Sequence, residues 1–219
     1  MTQDRIDAWR KLQQDIEHCK ECLTKWSKDI THPLRVGEIP DPPRDIKLLF
    51  VGVAPTAAKG RNRGNHFYSS QTDGLRLGLF GVLDGLLKTR LLEENANSLS
   101  ESNKSFHNAD LFFVHATKVR PIQDDAPPAD AIAFCAEQHL RFEIPLLQPK
   151  GVCFVGKNNT KAAASRLFGQ EIGETPTIAM LGAWRGLVAI AHQPRRGWEE
   201  KTHAVISKFR QALNLGPTR

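Results

Sequence analysis

Four apolar runs stand at wide intervals along the chain: IKLLFVGVAP (46–55), ADLFFVHATK (109–118), GVCFVGK (151–157) and GLVAIAHQP (186–194). They are continuous rather than alternating and close in Gly, Pro or polar residues, the pattern of strands buried on both faces. Between them apolar residues recur at helical spacing over about 73–93, 129–147, 158–168 and 199–213. In the last of these Val205, Ile206, Phe209, Ala212 and Leu213 share one face. Ile6, Trp9, Leu12 and Ile16 mark an earlier helix. Strands alternating with helices predict the α/β class: a single-domain, three-layer α/β/α sandwich around a mainly parallel, four-stranded central sheet.

One domain is expected over 1–219, with an N-terminal helix and cysteine segment at 1–45 and a core at 46–213. The connector PLRVGEIPDPPRD has Pro at three of the four positions 40–43, which rules out a central strand there. ENANSLSESNKS (94–105) is poor in apolar residues and reads as a mobile loop. Parallel sheets gather function beyond the carboxyl ends of their strands. Here those ends lead into VAPTAAKGRNRGNHFY, HATKVRP, GKNNT and HQPRRGW, the most polar and basic turns of the chain.

Charge extends the picture. Thirty Lys and Arg against 24 Asp and Glu give a net charge of +6, and a basic protein is drawn to polyanions, nucleic acid foremost. No stretch approaches the roughly 20 apolar residues that span a bilayer, and the first residues are polar. A cytoplasmic or nucleoid-associated monomer, not a membrane protein, is expected.

The four cysteines carry the most specific chemistry. Cys19 and Cys22 form a C-x-x-C pair, Cys135 falls in the third long helical segment, and Cys153 in the third apolar run. In a reducing compartment four thiols point to metal ligation or thiol chemistry rather than disulfides. Four thiolates suit a tetrahedral zinc or a [4Fe–4S] cube equally; small buried hydrophobes are the plain alternative for Cys135 and Cys153.

With these residues in view, the chain resembles the iron–sulfur branches of the uracil-DNA glycosylase superfamily, families 4 and 5, over about residues 19–213. VGVAPTAAKGRNRGNHF resembles the first active-site motif, closest to family 5. HATKVRP resembles the strand-end motif T-N-x-V-K/R-C-x-P, PPADAIAFC the turn and helix before the third cysteine, PKGVCFVGK the following strand, and AHQPRRG the H-P-S loop. The resemblance implies a [4Fe–4S] cluster on Cys19, Cys22, Cys135 and Cys153, and it places DNA, single- or double-stranded, as the partner.

It also implies roles. Phe67 would stack on a flipped base, with Val53, Ala54 and Asn65 beside it. His192 would stabilise the departing base, and His115 stands where the family has the Asn that reads the base edge. Lys59, Arg61, Arg63, Arg195 and Arg196, together with Lys118 and Arg120, would form a basic rim on DNA, with Trp198 as a flat surface. The sequence departs from the family at Val53, where family 4 has Glu; at Ser70, where family 5 has Asp, leaving Asp73 as the nearest carboxylate; at His115; and at Gln193, where the loop has Pro. The expected function is that of a DNA glycosylase that flips and excises a deaminated base, uracil first among them. The alternatives are a non-catalytic iron–sulfur nucleic-acid-binding protein with the same fold, and a thiol or electron-transfer protein using C-x-x-C.

Overall fold

The computed structural model describes residues 2–33, 38–57, 66–123, 126–195 and 197–216. In chain order the elements are α1 (Gln3–Glu17), α2 (Glu21–Lys25), β1 (Ile30–Pro33), β2 (Leu48–Gly52), α3 (Gly74–Leu87), α4 (Leu91–Asn97), α5 (Leu99–Asn108), β3 (Leu111–His115), β4 (Val119–Pro121), α6 (Ala129–Leu147), β5 (Gly151–Val155), α7 (Lys157–Phe168), β6 (Thr177–Leu181), β7 (Trp184–Ala191) and α8 (Glu199–Leu213). The central sheet has the order β3-β2-β5-β7-β6. Four strands run parallel and β6 pairs antiparallel with β7. The fold is therefore mixed α/β with a mainly parallel sheet, as expected, but with five strands rather than four. The fifth escaped the sequence because Thr177–Leu181 is largely exposed and lacks the solid apolar run of its neighbours.

The four parallel strands are buried because both faces are covered. Every residue of β2, β3 and β5 is buried. Helices α7 and α8 each pack on β5 and β7, while α6 lies on α7 and α3 on α8. A small antiparallel ribbon, β1 with β4, stands apart from the sheet. The helical segments read at 129–147, 158–168 and 199–213 recur within a residue.

The expected loop over 94–105 is helix instead. Ser98 caps α5 by accepting from the N–H of Glu101 at 3.3 Å. The polar residues that suggested a loop are spoken for by one fully buried guanidinium. Arg76 donates to Asn95 Oδ1 at 2.6 Å, to Asn103 Oδ1 at 2.7 Å, to the carbonyl of Phe67 at 2.8 Å and to Ser102 Oγ. Buried polar groups are tolerated when each finds a partner, and here helix polarity serves the interior. The single helix read at 73–93 is likewise broken, by Lys88 in the left-handed region (φ 57°) at the end of α3.

Candidate functional site

A cavity of about 460 Å³ lies beyond the carboxyl ends of the parallel strands. Val53, Ala54 and Pro55 following β2, His115 ending β3, Val155 ending β5 and Gln193 following β7 line it, together with Asn159 of α7 and the start of α3 at Asp73 and Gly74. Short approaches bring these elements together. A Cβ on Gly78 of α3 would stand 1.9 Å from the carbonyl oxygen of Pro194, so only glycine lets α3 touch the turn after β7. Gly156, at φ +104°, would meet Val53 in the same way.

His115 is 4% exposed and bounds this cavity. Burial, then the nearby His66, Lys118 and Arg120, hold its pKa well below the ordinary imidazole value, so the ring is neutral. Phe113 packs edge-on at 4.8 Å, and His66 at 5.4 Å. Its carbonyl accepts from Lys118 Nζ at 2.6 Å, and Lys118 is paired with Glu143 at 2.6 Å, both buried. Lys118 thus lies inside the protein and not on a DNA-facing rim. Arg120 is half-buried and bonded to Glu38.

Asp73 lines the cavity but acts first as the cap of α3, accepting from the N–H of Arg76 at 2.8 Å. Burial raises its pKa, and that hydrogen bond partly offsets the rise. Phe67 reaches the cavity edge yet is 1% exposed and stacks on Phe113 at 4.0 Å and 8°. One face is covered, and the ring belongs to an aromatic core with Tyr68, Phe80 and Phe106. Phe67 is thus both a cavity-wall and a core residue, with Phe113 of β3 filling one face of its ring.

His192 is not in this cavity. It lines a neighbouring cleft of about 150 Å³ with Lys157, Arg195 and Trp198, and the two spaces share Asn159 and Gln193. Its ring stacks on Trp198 at 4.3 Å, and Nε2 lies 3.4 Å from Glu174. Arg195 is exposed at the cleft. Lys59, Arg61, Arg63, Asn65 and Arg196 lie outside the described residues.

The cysteines divide into two places. Cys22 and Cys135 pack together with Ile30 and Val119 in a small cluster of their own, and Cys19 is close enough to act on the charge of Cys22. Hydrogen bonding to Cys135, then burial, pushes the Cys22 thiol up. Cys135 is fully buried, which alone would raise its pKa. Hydrogen bonds from Cys22 and His139, and from the N–H of Lys118 at 3.1 Å, bring it well below the thiol range instead. Cys153 sits elsewhere, mid-strand in β5 between Phe50 and Ala189, in the main core. Burial alone raises its pKa and keeps it protonated. Among the described residues no three His, Cys, Asp or Glu side chains are arranged to hold a metal ion. Of the four cysteines that the resemblance implies as ligands, Cys22 and Cys135 meet in the small cluster and Cys153 packs in the main core.

The site is thus a cavity at the carboxyl edge of a mainly parallel sheet, the place where α/β domains hold ligands, walled by a neutral histidine and a helix start. A family model described as the uracil DNA glycosylase superfamily matches residues 40–214, and the chain belongs to that superfamily, whose members act on DNA in base excision. None of the curated proteins compared with the chain matches it. No helix among the described residues is long and apolar enough to cross a membrane.

Sequence reasoning identified Val53, Ala54, Phe67, Asp73 and His115 as site residues, and the fold brings these five to one cavity. It missed Asn159 and the Lys118–Glu143 support. The GKNNT turn after the third strand was the available signal for Asn159; nothing in the sequence pairs Lys118 with a residue 25 positions away.

Proposed function

We propose that the cavity receives a nucleobase swung out of DNA and that the chain excises a deaminated base, uracil first. The observation that carries this is His115: a neutral, buried imidazole at the mouth of β3, inside a cavity large enough for one base. A base cannot be cut from its sugar while stacked in a duplex, and extrusion costs a few kcal/mol that a fitted pocket returns. Cleavage of the N-glycosidic bond leaves negative charge on the base. A neutral imidazole N–H donates to a developing oxyanion without carrying charge into the site, and a fixed donor of this kind is worth about 10²–10³ in rate. Backbone N–H groups at the start of α3 add partial positive charge on the same side. Asn159 can offer both donor and acceptor to the base edge. His192 and Arg195, in the adjoining cleft, suit the sugar–phosphate backbone next to the flipped nucleotide.

The test is release of base from single- and double-stranded oligonucleotides carrying uracil, hypoxanthine or xanthine, under single-turnover conditions with enzyme in excess. Release of any one supports excision; absence of release for all three removes it. One observation favours a second reading, in which the chain binds such a base without cutting. Asp73, the nearest carboxylate, is tied to Arg76 as a helix cap, so water activation has no free base there. Salt-dependent binding that prefers a uracil-containing strand, with no release, would select that reading.

A further inference from the structure

Two histidines share the environment of the cavity, but only His115 lines it. His66 is 2% exposed, and its ring meets that of His115 at 5.4 Å and 63°. Nδ1 of His66 accepts from the backbone N–H of Tyr68 at 3.4 Å. The neutral ring must then carry its proton on Nε2. Among the described residues that Nε2, buried, meets no acceptor, and the buried Nδ1 of His115 meets no partner either. An unmet donor and an unmet ring nitrogen on neighbouring rings are each costly to bury, and a hydrogen bond between them removes both costs. The two atoms belong to neighbouring rings whose centroids lie 5.4 Å apart.

We propose that His66 is a positioning residue for His115: it donates through Nε2–H to Nδ1 of His115, fixes the Nε2–H tautomer of that ring, and so makes the cavity wall present a hydrogen-bond donor. The proposal rests on reading the cavity as a nucleobase site, and it deepens that reading by naming the edge selected. A donor at this wall donates to a keto oxygen, which uracil, hypoxanthine and xanthine all carry. It opposes the exocyclic amino group of cytosine and adenine, itself a donor. Recognition of the deaminated member of each pair then follows from one proton position. The surroundings keep that proton in place. Burial lowers the pKa of His66 to about 4, with Glu38 opposing and Arg120 reinforcing the shift. Lys118 and Arg120 add to burial at His115. The flank of the His115 ring is held by Phe113, an apolar ring with no hydrogen-bonding atom, while His66 meets it at 5.4 Å.

The experiment uses the full chain with ¹⁵N-labelled histidine and reads ring tautomers by long-range ¹H–¹⁵N correlation at pH 7. Wild-type protein is expected to show both rings as neutral Nε2–H forms. His66→Phe should shift His115 away from that form. His66→Gln, which retains an N–H donor, should restore it and serves as the folded control should the Phe variant lose structure. In parallel, binding of uracil- against cytosine-containing single strands should lose about tenfold in discrimination in the Phe variant, the worth of one hydrogen bond to the edge, and recover in the Gln variant. An unchanged His115 tautomer in His66→Phe overturns the proposal whatever the binding shows. If wild-type protein neither binds nor cuts uracil strands, the nucleobase reading fails, while the tautomer spectra still decide the role of His66.

Discussion

The ammonium of Lys118 stands 2.6 Å from the carboxylate of Glu143, with neither side chain more than 1% exposed. The same ammonium donates to the carbonyl of His115, and Gln13 of α1 donates to Glu143 at 3.1 Å. One buried pair thus joins the N-terminal helix, α6 and the strand end that carries the cavity histidine. Two charges removed from water are favourable only when both are paired and hydrogen-bonded.

Removal of one partner should therefore be severe. Lys118→Met is expected to lower stability by about 3–5 kcal/mol, the cost of an uncompensated buried charge. The double variant Lys118→Met, Glu143→Leu should recover most of the loss. Urea unfolding of the two single variants and the double variant completes the cycle; single and double variants that lose equally would show that the pair is not the unit.

Arg76 offers an independent test of the interior network around α4 and α5. Arg76→Leu leaves Asn95, Ser102 and Asn103 without their shared donor. A loss of about 3 kcal/mol or more is expected, with unsatisfied buried groups costing roughly 1–3 kcal/mol each. Amide exchange should show α4 and α5 opening first, since their polar faces depend on that guanidinium.

Acid should destabilise the fold through its buried histidines. Burial lowers His66 and His107 to about 4 and His115 well below its ordinary value. Between the unfolded histidine value, about 6.5, and the folded values, the unfolded chain binds more protons. Stability therefore falls as pH drops from about 6.5 towards 4, by up to about 1.4 kcal/mol per pH unit for each group. Unfolding midpoints at pH 7 and pH 5 measure this, and His107→Phe should flatten the slope without touching the cavity.

Cys153 separates core packing from metal ligation. Cys153→Ser buries a hydroxyl without a partner in the sheet and should cost about 1–3 kcal/mol. Its substitution should leave unchanged any iron content and any visible absorption of anaerobically purified protein. A loss of bound iron on Cys153→Ala would place that thiol among ligands and contradict its position in β5.

Within the site, His115→Ala should lower single-turnover base release by about 10²–10³, as for a lost oxyanion donor. His192→Ala should weaken binding of the strand more than it slows the cut, because its ring lies in the adjoining cleft against Trp198 and Glu174. Rate and affinity measured on the same uracil oligonucleotide distinguish the two; equal effects on rate would put both rings at the departing base.

The sequence by itself determined the class of the fold. Uninterrupted apolar runs at 46–55, 109–118 and 151–157 can only be strands covered on both faces, and the intervening 3.6-residue periodicity can only cover them with helices. It also determined where chemistry would gather, because backbone and polar side chains become available just where parallel strands end, at Val53, His115 and Gln193. Tertiary structure alone decided what each polar residue does. Lys118 is a charged residue in a basic turn until α6 brings Glu143 beneath it. Phe67 is a free aromatic until β3 lays Phe113 on its face, and the polar stretch at 94–105 is a loop until Arg76 reaches into it. Cys153 counts with the other cysteines until the sheet register turns it into the core. The physical reason is common to all four: periodicity records whether a position is buried, while partnership is a contact between segments far apart in the chain, which no local pattern encodes.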